Sequence, residues 1–467
     1  MDLHIALTSG RDLSQEIYRQ IRSAISEGRL RAGDRLPSSR ELGHTLNVAR
    51  MTVIVAYERL AGEGFVATRV GAGTFVTSES DPQDKRALAA RGLADFESTD
   101  PALVTRPIWN AISFPSAFAR PARFDFRSGL PDVEHFPHRA WRRAVTHALD
   151  AEVSRAGVYA QSAGHPALRA AIAAHIGTSR GVRISADDVT ITGGTQQALD
   201  LIVRVLLEPG DRVAIEDPGY MMARRLFASH EMSVIGVPVD NDGLVVDAIP
   251  DDVRLVYVTP SHQYPTGVSM PFARRSALLS WADRHDAVIV EDDYDSEFRF
   301  GGRPIDALQA LDARGRVIYV ASFSKTMLPT LRVGFVVAPP ALRVAIRKAR
   351  LVSDWHGPTL IECALARFIE TGDFARHLRR MRRVYAARRK AIIAALSRDF
   401  SEDLAVAPSE AGLHVSAFAR RLSAEAIKDV AQRAADMDVA VQELAWFARD
   451  VPPRPGLVIG YGAIDES

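Results

Sequence analysis

The chain has 467 residues, 58 Lys plus Arg against 57 Asp plus Glu, a net charge of +1, 47% hydrophobic residues and one cysteine. That length exceeds one ordinary domain, and the composition is that of a globular chain with sizeable cores. The balanced charge gives no global sign of nucleic acid or membrane. Cys363 alone excludes an intramolecular disulfide framework, and the lack of a leader or a long apolar run points to a soluble, cytoplasmic chain with no membrane contact.

Leu13, Ile17, Ile21 and Ile25 recur at helical spacing and predict an amphipathic first helix ending near Glu27-Gly28. Ser38 and Glu41, just after Pro37, form a capping box that opens a second short helix burying Leu42 and Leu46. A turn at Asn47-Val48 leads into a third helix with Val53, Ala56 or Tyr57, and Leu60 on its core face, stopped by Gly62 or Gly64. Two short alternating strands follow, Phe65–Val70 and Gly73–Val76, joined through Gly71-Ala72. Three helices and a hairpin describe a winged helix-turn-helix. Charge adds little, because residues 1–76 carry ten arginines against eight acids.

The wording of this stretch is more specific. Gly28-Arg-Leu-Arg-Ala-Gly-Asp-Arg-Leu-Pro-Ser-Ser-Arg-Glu-Leu42, Val48-Ala-Arg-Met-Thr-Val53, Tyr57-Glu-Arg-Leu60 and Gly71-Ala-Gly-Thr-Phe-Val76 closely resemble the GntR-type DNA-binding domain. The resemblance implies DNA contacts from Arg40, Arg50, Thr52 and the wing glycine Gly71. Arg50 at a helix start suits a base edge or phosphate, and Thr52 a phosphate or thymine methyl. The bland alternative for Arg40 is a salt bridge to an acid of the second helix. Ala49 stands where that family often has Ser or Thr, so one phosphate contact is expected to be missing.

Residues 78–123 lose periodicity and read as a partly extended linker, with a short helix expected around Arg86–Phe96. From Phe124 onward, apolar runs alternate with helical stretches. Candidate strands are Val189–Ile191, Val213–Glu216, Val234–Val237, Leu255–Val258, Val288–Glu291, Val317–Ala321 and Val333–Val337. That alternation predicts an α/β domain, a mostly parallel sheet with helices on both faces. The arginine-dense run Arg379–Arg389 reads as a charged helix face or a second DNA contact, and Leu404–Tyr461 as a small C-terminal α+β subdomain. The expected domains are therefore 1–77, a linker 78–123, and 124–467.

Within the second domain, Val317–Val320 runs into small hydroxyl residues, then Lys325, then Arg332. Only five of the chain's cations are lysines, and a Schiff base is one role arginine cannot fill. An ordinary loop lysine is an equal reading of that stretch alone. Upstream, Val288-Ile-Val-Glu-Asp292-Asp-Tyr294 is a buried strand ending in acids, and ligands of open α/β sheets bind beyond such ends. An acid there suits a protonated pyridine nitrogen.

These stretches, with Thr192-Gly-Gly-Thr-Gln-Gln-Ala-Leu199 and Glu216-Asp-Pro-Gly-Tyr220, resemble the fold type I pyridoxal 5'-phosphate (PLP) enzymes of the aspartate aminotransferase superfamily. The resemblance implies PLP as cofactor. Lys325 is then its Schiff-base lysine, Asp292 the partner of the pyridine nitrogen, and Tyr294 a neighbour of the phenolic oxygen. Tyr220 stacks on the ring, and Thr195, Gln196, Ser322, Ser324 and Arg332 form the phosphate cup. Tyr159 reaches the phosphate of the other subunit. No metal is expected.

A GntR-type head on an aminotransferase-like body resembles the MocR/GabR subfamily of bacterial transcription regulators. That layout implies a head-to-tail homodimer on operator DNA. It would sense an amino compound through an external aldimine at Lys325, or sense PLP itself; a working aminotransferase with an appended head is the alternative. Two departures from the enzymes weigh against turnover. Tyr264 stands before Pro-Thr-Gly267 where they have an asparagine, and Leu457-Val-Ile-Gly-Tyr461 offers no carboxylate-binding arginine in register, although Arg454 is nearby.

Overall fold

The first expected helix forms over Leu13–Ser26, burying Ile17, Tyr18, Ile21 and Ala24, and Asp12 caps it by accepting from the Gln15 amide. The second, Ser39–Thr45, opens on the predicted capping box, with Glu41 N donating to Ser38 Oγ at 3.2 Å and Ser38 N to Glu41 Oε2 at 3.4 Å. The third spans Arg50–Gly62 and buries both Ala56 and Tyr57 with Val53 and Leu60. Strands β1 (Val66–Arg69) and β2 (Gly73–Val76) pair antiparallel. One apolar cluster joins all five elements, so this winged helix-turn-helix has its own core.

The computed structural model describes residues 5, 7, 12–69, 72–77, 105–112, 121–152, 157–301 and 305–464. Contacts divide the chain into Met1–Thr105 and Arg106–Ser467. Gly71 and the helix expected around Arg86–Phe96 lie outside the described residues; a short helix is seen at Ile108–Ala111.

The second unit is built on a sheet of eight strands. After β3 (Phe124–Asp125) come β4 (Val189–Thr192), β5 (Arg212–Asp217), β6 (Ser233–Asp240), β7 (Gly243–Leu244), β8 (Val253–Val258), β9 (Val288–Asp293), β10 (Val317–Ser322) and β11 (Gly334–Val337). Their order is β4-β11-β10-β9-β8-β5-β6-β7. β11 runs antiparallel to both neighbours, as does β7 to β6, and the remaining pairs are parallel. All seven expected strands are present. They read as unbroken apolar runs because both faces are covered: Leu255 and Tyr257 of β8 enter one cluster, Val256 and Val258 another.

The expected C-terminal subdomain is a four-stranded antiparallel sheet of β12 (Leu404–Val406), β13 (His414–Ala419), β16 (Gly456–Gly460) and β15 (Gln442–Glu443); β14 (Val439–Ala440) pairs with β3. The arginine-dense run lies on the helix Asp373–Asp399, which buries Leu378, Met381 and Tyr385. Its inward cation, Arg388, holds Asp132 Oδ2 at 2.6 Å. Among the described residues, no helix is long and apolar enough to cross a membrane.

One buried ion pair ties the carboxyl edge of the sheet together. Arg180, at the end of the helix Pro166–Arg180, donates from Nε to Asp293 Oδ2 at 2.7 Å, and Tyr319 Oη donates to the same oxygen at 2.6 Å. The two charged side chains are only 6% and 2% exposed. Removing one partner strands the other charge in the core, so Arg180→Met is expected to cost about 3–5 kcal/mol in denaturant unfolding.

Candidate functional site

The carboxyl ends of β4, β5, β8, β9 and β10 converge where an open α/β sheet binds its ligands. Asp292, the fifth residue of β9, is buried with 4% exposure. Its Oδ2 accepts from Tyr257 Oη of neighbouring β8 at 2.7 Å, and its Oδ1 has no hydrogen-bond partner among the described residues. Burial pushes this carboxyl up to about 7; Asp293 adds to the push, while the Tyr257 hydroxyl and Lys325 oppose it.

Lys325 stands three residues past β10 and donates from Nζ to Gly129 O at 2.6 Å. Burial lowers its amine, against the pull of Asp295 and Asp292. Gly129 has φ +80°, and a Cβ there would stand 2.9 Å from Nζ. Glycine thus both makes the turn and admits the lysine.

The expected phosphate cup collects around the N-terminus of the helix Thr195–Leu206. Arg332 donates to Gly193 O, and a Cβ on Gly194 would lie 3.1 Å from its guanidinium. Ser322 pairs with Gly334 across β10 and β11, and Gly334 packs on Gly194. Gln196 Nε2 donates to Tyr220 Oη at 3.3 Å. Helix N-terminal amides beside a guanidinium and strand-end hydroxyls are groups of the kind that suit an anion. Ser324 lies on the same turn, one residue before Lys325.

Tyr264 lies edge-on to Tyr220 and Tyr294, with ring centroids 6.1 and 5.7 Å away. Its hydroxyl is 2.7 Å from Ser128 Oγ, which donates to Gln442 Oε1 at 2.7 Å. The expected loss of the asparagine is therefore filled by an aromatic with its own partners. Tyr294 Oη is 2.9 Å from His262 Nδ1. The exposed Arg454 guanidinium lies 4.8 Å from the Phe418 ring centroid. Tyr159 is 74% exposed, with its ring tilted against that of Trp355 and the centroids 4.4 Å apart.

Three partners were not read from the sequence: Tyr257, Glu216 and the His262–Asp295 pair. Glu216 is buried at the end of β5, accepts from Thr259 Oγ1 at 2.6 Å, and burial pushes it up to about 7.

In the head, Arg40, Gly43, His44, Asn47, Val48, Ala49 and Arg50 line one concave surface between the second and third helices. Arg40 and Arg50 are exposed, and no ion pair involves Arg40 among the described residues. Arg50 Nε donates to Ser39 Oγ at 3.3 Å. Ala49 caps the third helix without a side-chain bond.

Comparison with known proteins agrees with this two-part layout. The family described as bacterial regulatory proteins, gntR family, matches residues 13–76, and aminotransferase class I and II matches residues 124–448. The chain is 38% identical over 456 residues to a probable rhizopine catabolism regulatory protein, MocR, of Rhizobium meliloti, covering 97% of this chain and 90% of the relative. It is 31% identical to the pyridoxine biosynthesis transcriptional regulator PdxR of Corynebacterium glutamicum, covering 100% of this chain and 96% of the relative. Among solved structures, the alpha-aminoadipate aminotransferase LysN of Thermus thermophilus, complexed with N-(5'-phosphopyridoxyl)-L-leucine, superposes with a TM-score of 0.69. That match is 30% identical and covers 77% of this chain and 93% of LysN.

Proposed function

Because the chain belongs to the MocR/GabR subfamily of GntR-type transcription regulators, with a DNA-binding head and the body of a PLP-dependent aminotransferase, we propose that it couples operator binding to amine chemistry at Lys325. The observation that carries this reading is the buried, unpartnered Oδ1 of Asp292 at the same strand edge as a lysine amine lowered by burial. These residues fit PLP: one carboxylate oxygen is left for a pyridine N–H, one amine for an aldehyde, and one helix N-terminus for a phosphate.

When bound, the cofactor supplies an aldehyde that combines reversibly with primary amines. The chain does the rest. Thr195, Gln196, Ser322, Ser324 and Arg332 would hold the phosphate, Asp292 would keep a proton on the pyridine nitrogen, Tyr220 would cover the ring, and Tyr294 would face the ring oxygen. An effector amine that competes with Lys325 for the aldehyde would leave the Lys325 side chain free. Regulation follows if the amine binds the DNA-competent and DNA-incompetent states with different affinity. The exposed apolar group of Val158, Tyr159, Val352 and Trp355 supports a homodimer in which Tyr159 serves the partner subunit's site.

The test is a visible spectrum during titration with PLP and then with a panel of amino compounds, read beside operator binding. A band that appears with PLP and shifts with one amine, together with altered DNA affinity, supports amine sensing. DNA binding that follows PLP while no amine moves the band makes PLP the effector. Absence of any band overturns the reading. Catalytic turnover with an amino donor and a keto acid would revive the enzyme alternative.

The head carries its own prediction. Arg50→Ala should weaken operator binding by about 1–3 kcal/mol and relax preference at one base pair if Arg50 reads a base. If Arg50 holds a phosphate instead, binding weakens evenly across sequences and the salt dependence loses about one counterion. Fluorescence anisotropy over a salt series separates the two.

A further inference from the structure

The imidazole of His262 is held from three directions. Its Nδ1 lies 3.1 Å from each oxygen of Asp295 and 2.9 Å from Tyr294 Oη, and its Nε2 lies 3.1 Å from Ser409 Oγ. The side chains of His262 and Asp295 are 1% and 2% exposed. The slot is opened by one glycine and bordered closely by a second. A Cβ on Gly412 would stand 2.0 Å from His262 Cε1 and 2.6 Å from Asp295 Oδ2, and one on Gly267 would stand 3.3 Å from His262 Nε2. Both glycines have positive φ, +88° and +82°.

Proton counting decides what this clamp does. Burial raises Asp295 and the His262 contact opposes that rise; while Asp295 is ionised its carboxylate only accepts, so a nitrogen facing both its oxygens carries the proton. An Nδ1–H cannot accept from tyrosine. The Tyr294 oxygen therefore shares that N–H, and its own hydroxyl hydrogen stays available to another acceptor. With Asp295 absent or neutral, Nδ1 could accept, and the tyrosine hydrogen would be spent on it.

We propose that His262 and Asp295 are positioning residues that keep the Tyr294 hydroxyl a hydrogen-bond donor to the cofactor's ring oxygen. The inference rests on the reading that sets PLP between Tyr294 and Lys325. A donor at that oxygen favours its anionic form and draws electron density from the conjugated system. The lysine–cofactor chromophore then loses its proton at a lower pH than it would without the donor. The groups facing the imidazole are Asp295, Tyr294 and His414, with Arg389 behind, bound to Ser409 O. His414 stays neutral: burial and then His262 push it down to about 3, and its Nε2 is 2.9 Å from Pro265 O.

The experiment is a pH titration of the visible band of the full-length, PLP-loaded protein and its variants. His262→Leu and Tyr294→Phe should each raise the midpoint, by about one pH unit, and the double variant should rise no further than either single one. His262→Asn, which returns an N–H near the Nδ1 position, should stay near wild type. Asp295→Asn should rise like His262→Leu, and this second route serves if the leucine variant folds poorly. A midpoint unmoved in both His262→Leu and Asp295→Asn while Tyr294→Phe shifts it, or shifts that add in the double variant, overturns the proposal. A wild-type protein without a band overturns the cofactor reading beneath it.

Discussion

Lys325→Ala should abolish the visible band that PLP gives the wild-type protein, and with it every response of DNA binding to amines. Lysine is the one cation whose neutral amine can join an aldehyde, and this amine, held to Gly129 O at 2.6 Å, is already lowered by burial. Lys325→Arg should lose the band too, although it keeps the charge, and this separates chemistry from electrostatics. PLP should still bind both variants weakly, because the helix N-terminus and Arg332 remain to take the phosphate. Folding supplies an independent check. Below the ordinary lysine range but above the lowered folded value, the unfolded chain carries a proton that the folded apoprotein lacks. Stability therefore rises with pH through that window, and Lys325→Ala should flatten the rise. Absorbance and thermal melts at several pH values measure both effects. A band that survives in Lys325→Ala would move the chemistry to another residue.

The sequence carried those parts of the fold that depend on local pattern. Apolar spacing placed the three head helices, and unbroken apolar runs placed all seven expected strands, because strands covered on both faces have no polar side to interrupt them. Lys325, Asp292 and Ser322 were legible in the sequence because they lie at or just past the ends of apolar strand runs. Partners set by strand register were not. Tyr257 meets Asp292 only because β8 lies beside β9, and it precedes the acid by 35 residues. Glu216 meets Thr259 across β5 and β8. His262 finds Asp295 through a slot opened by Gly412, 150 positions further along the chain. Each is a side chain between two others, and no period of 2 or 3.6 encodes it.

Asp292→Asn should weaken PLP binding while strengthening the fold, and that opposition identifies the residue as functional. The carboxylate is buried, its Oδ1 has no partner among the described residues, and burial pushes it up to about 7, far above the ordinary carboxylate value of about 3.9. Between those values the folded chain holds a proton that the unfolded chain has released. The contribution is fully present below about pH 4 and is lost as pH rises through about 7. Its size is a few kcal/mol at most, at about 1.4 kcal/mol for each pH unit between the two values. Asparagine keeps the shape and can still accept from Tyr257 but has no charge to strand, so the apo variant should melt higher than wild type at pH 8 and about equally at pH 4. Binding moves the other way. A charge-assisted bond to a pyridine N–H is worth about 1.5–3 kcal/mol, so the dissociation constant for PLP should rise roughly 10- to 150-fold. A group retained for stability would lose on both counts. If Asp292→Asn destabilises the apoprotein at pH 8, the carboxylate is part of the core's framework and the pyridine nitrogen needs another partner.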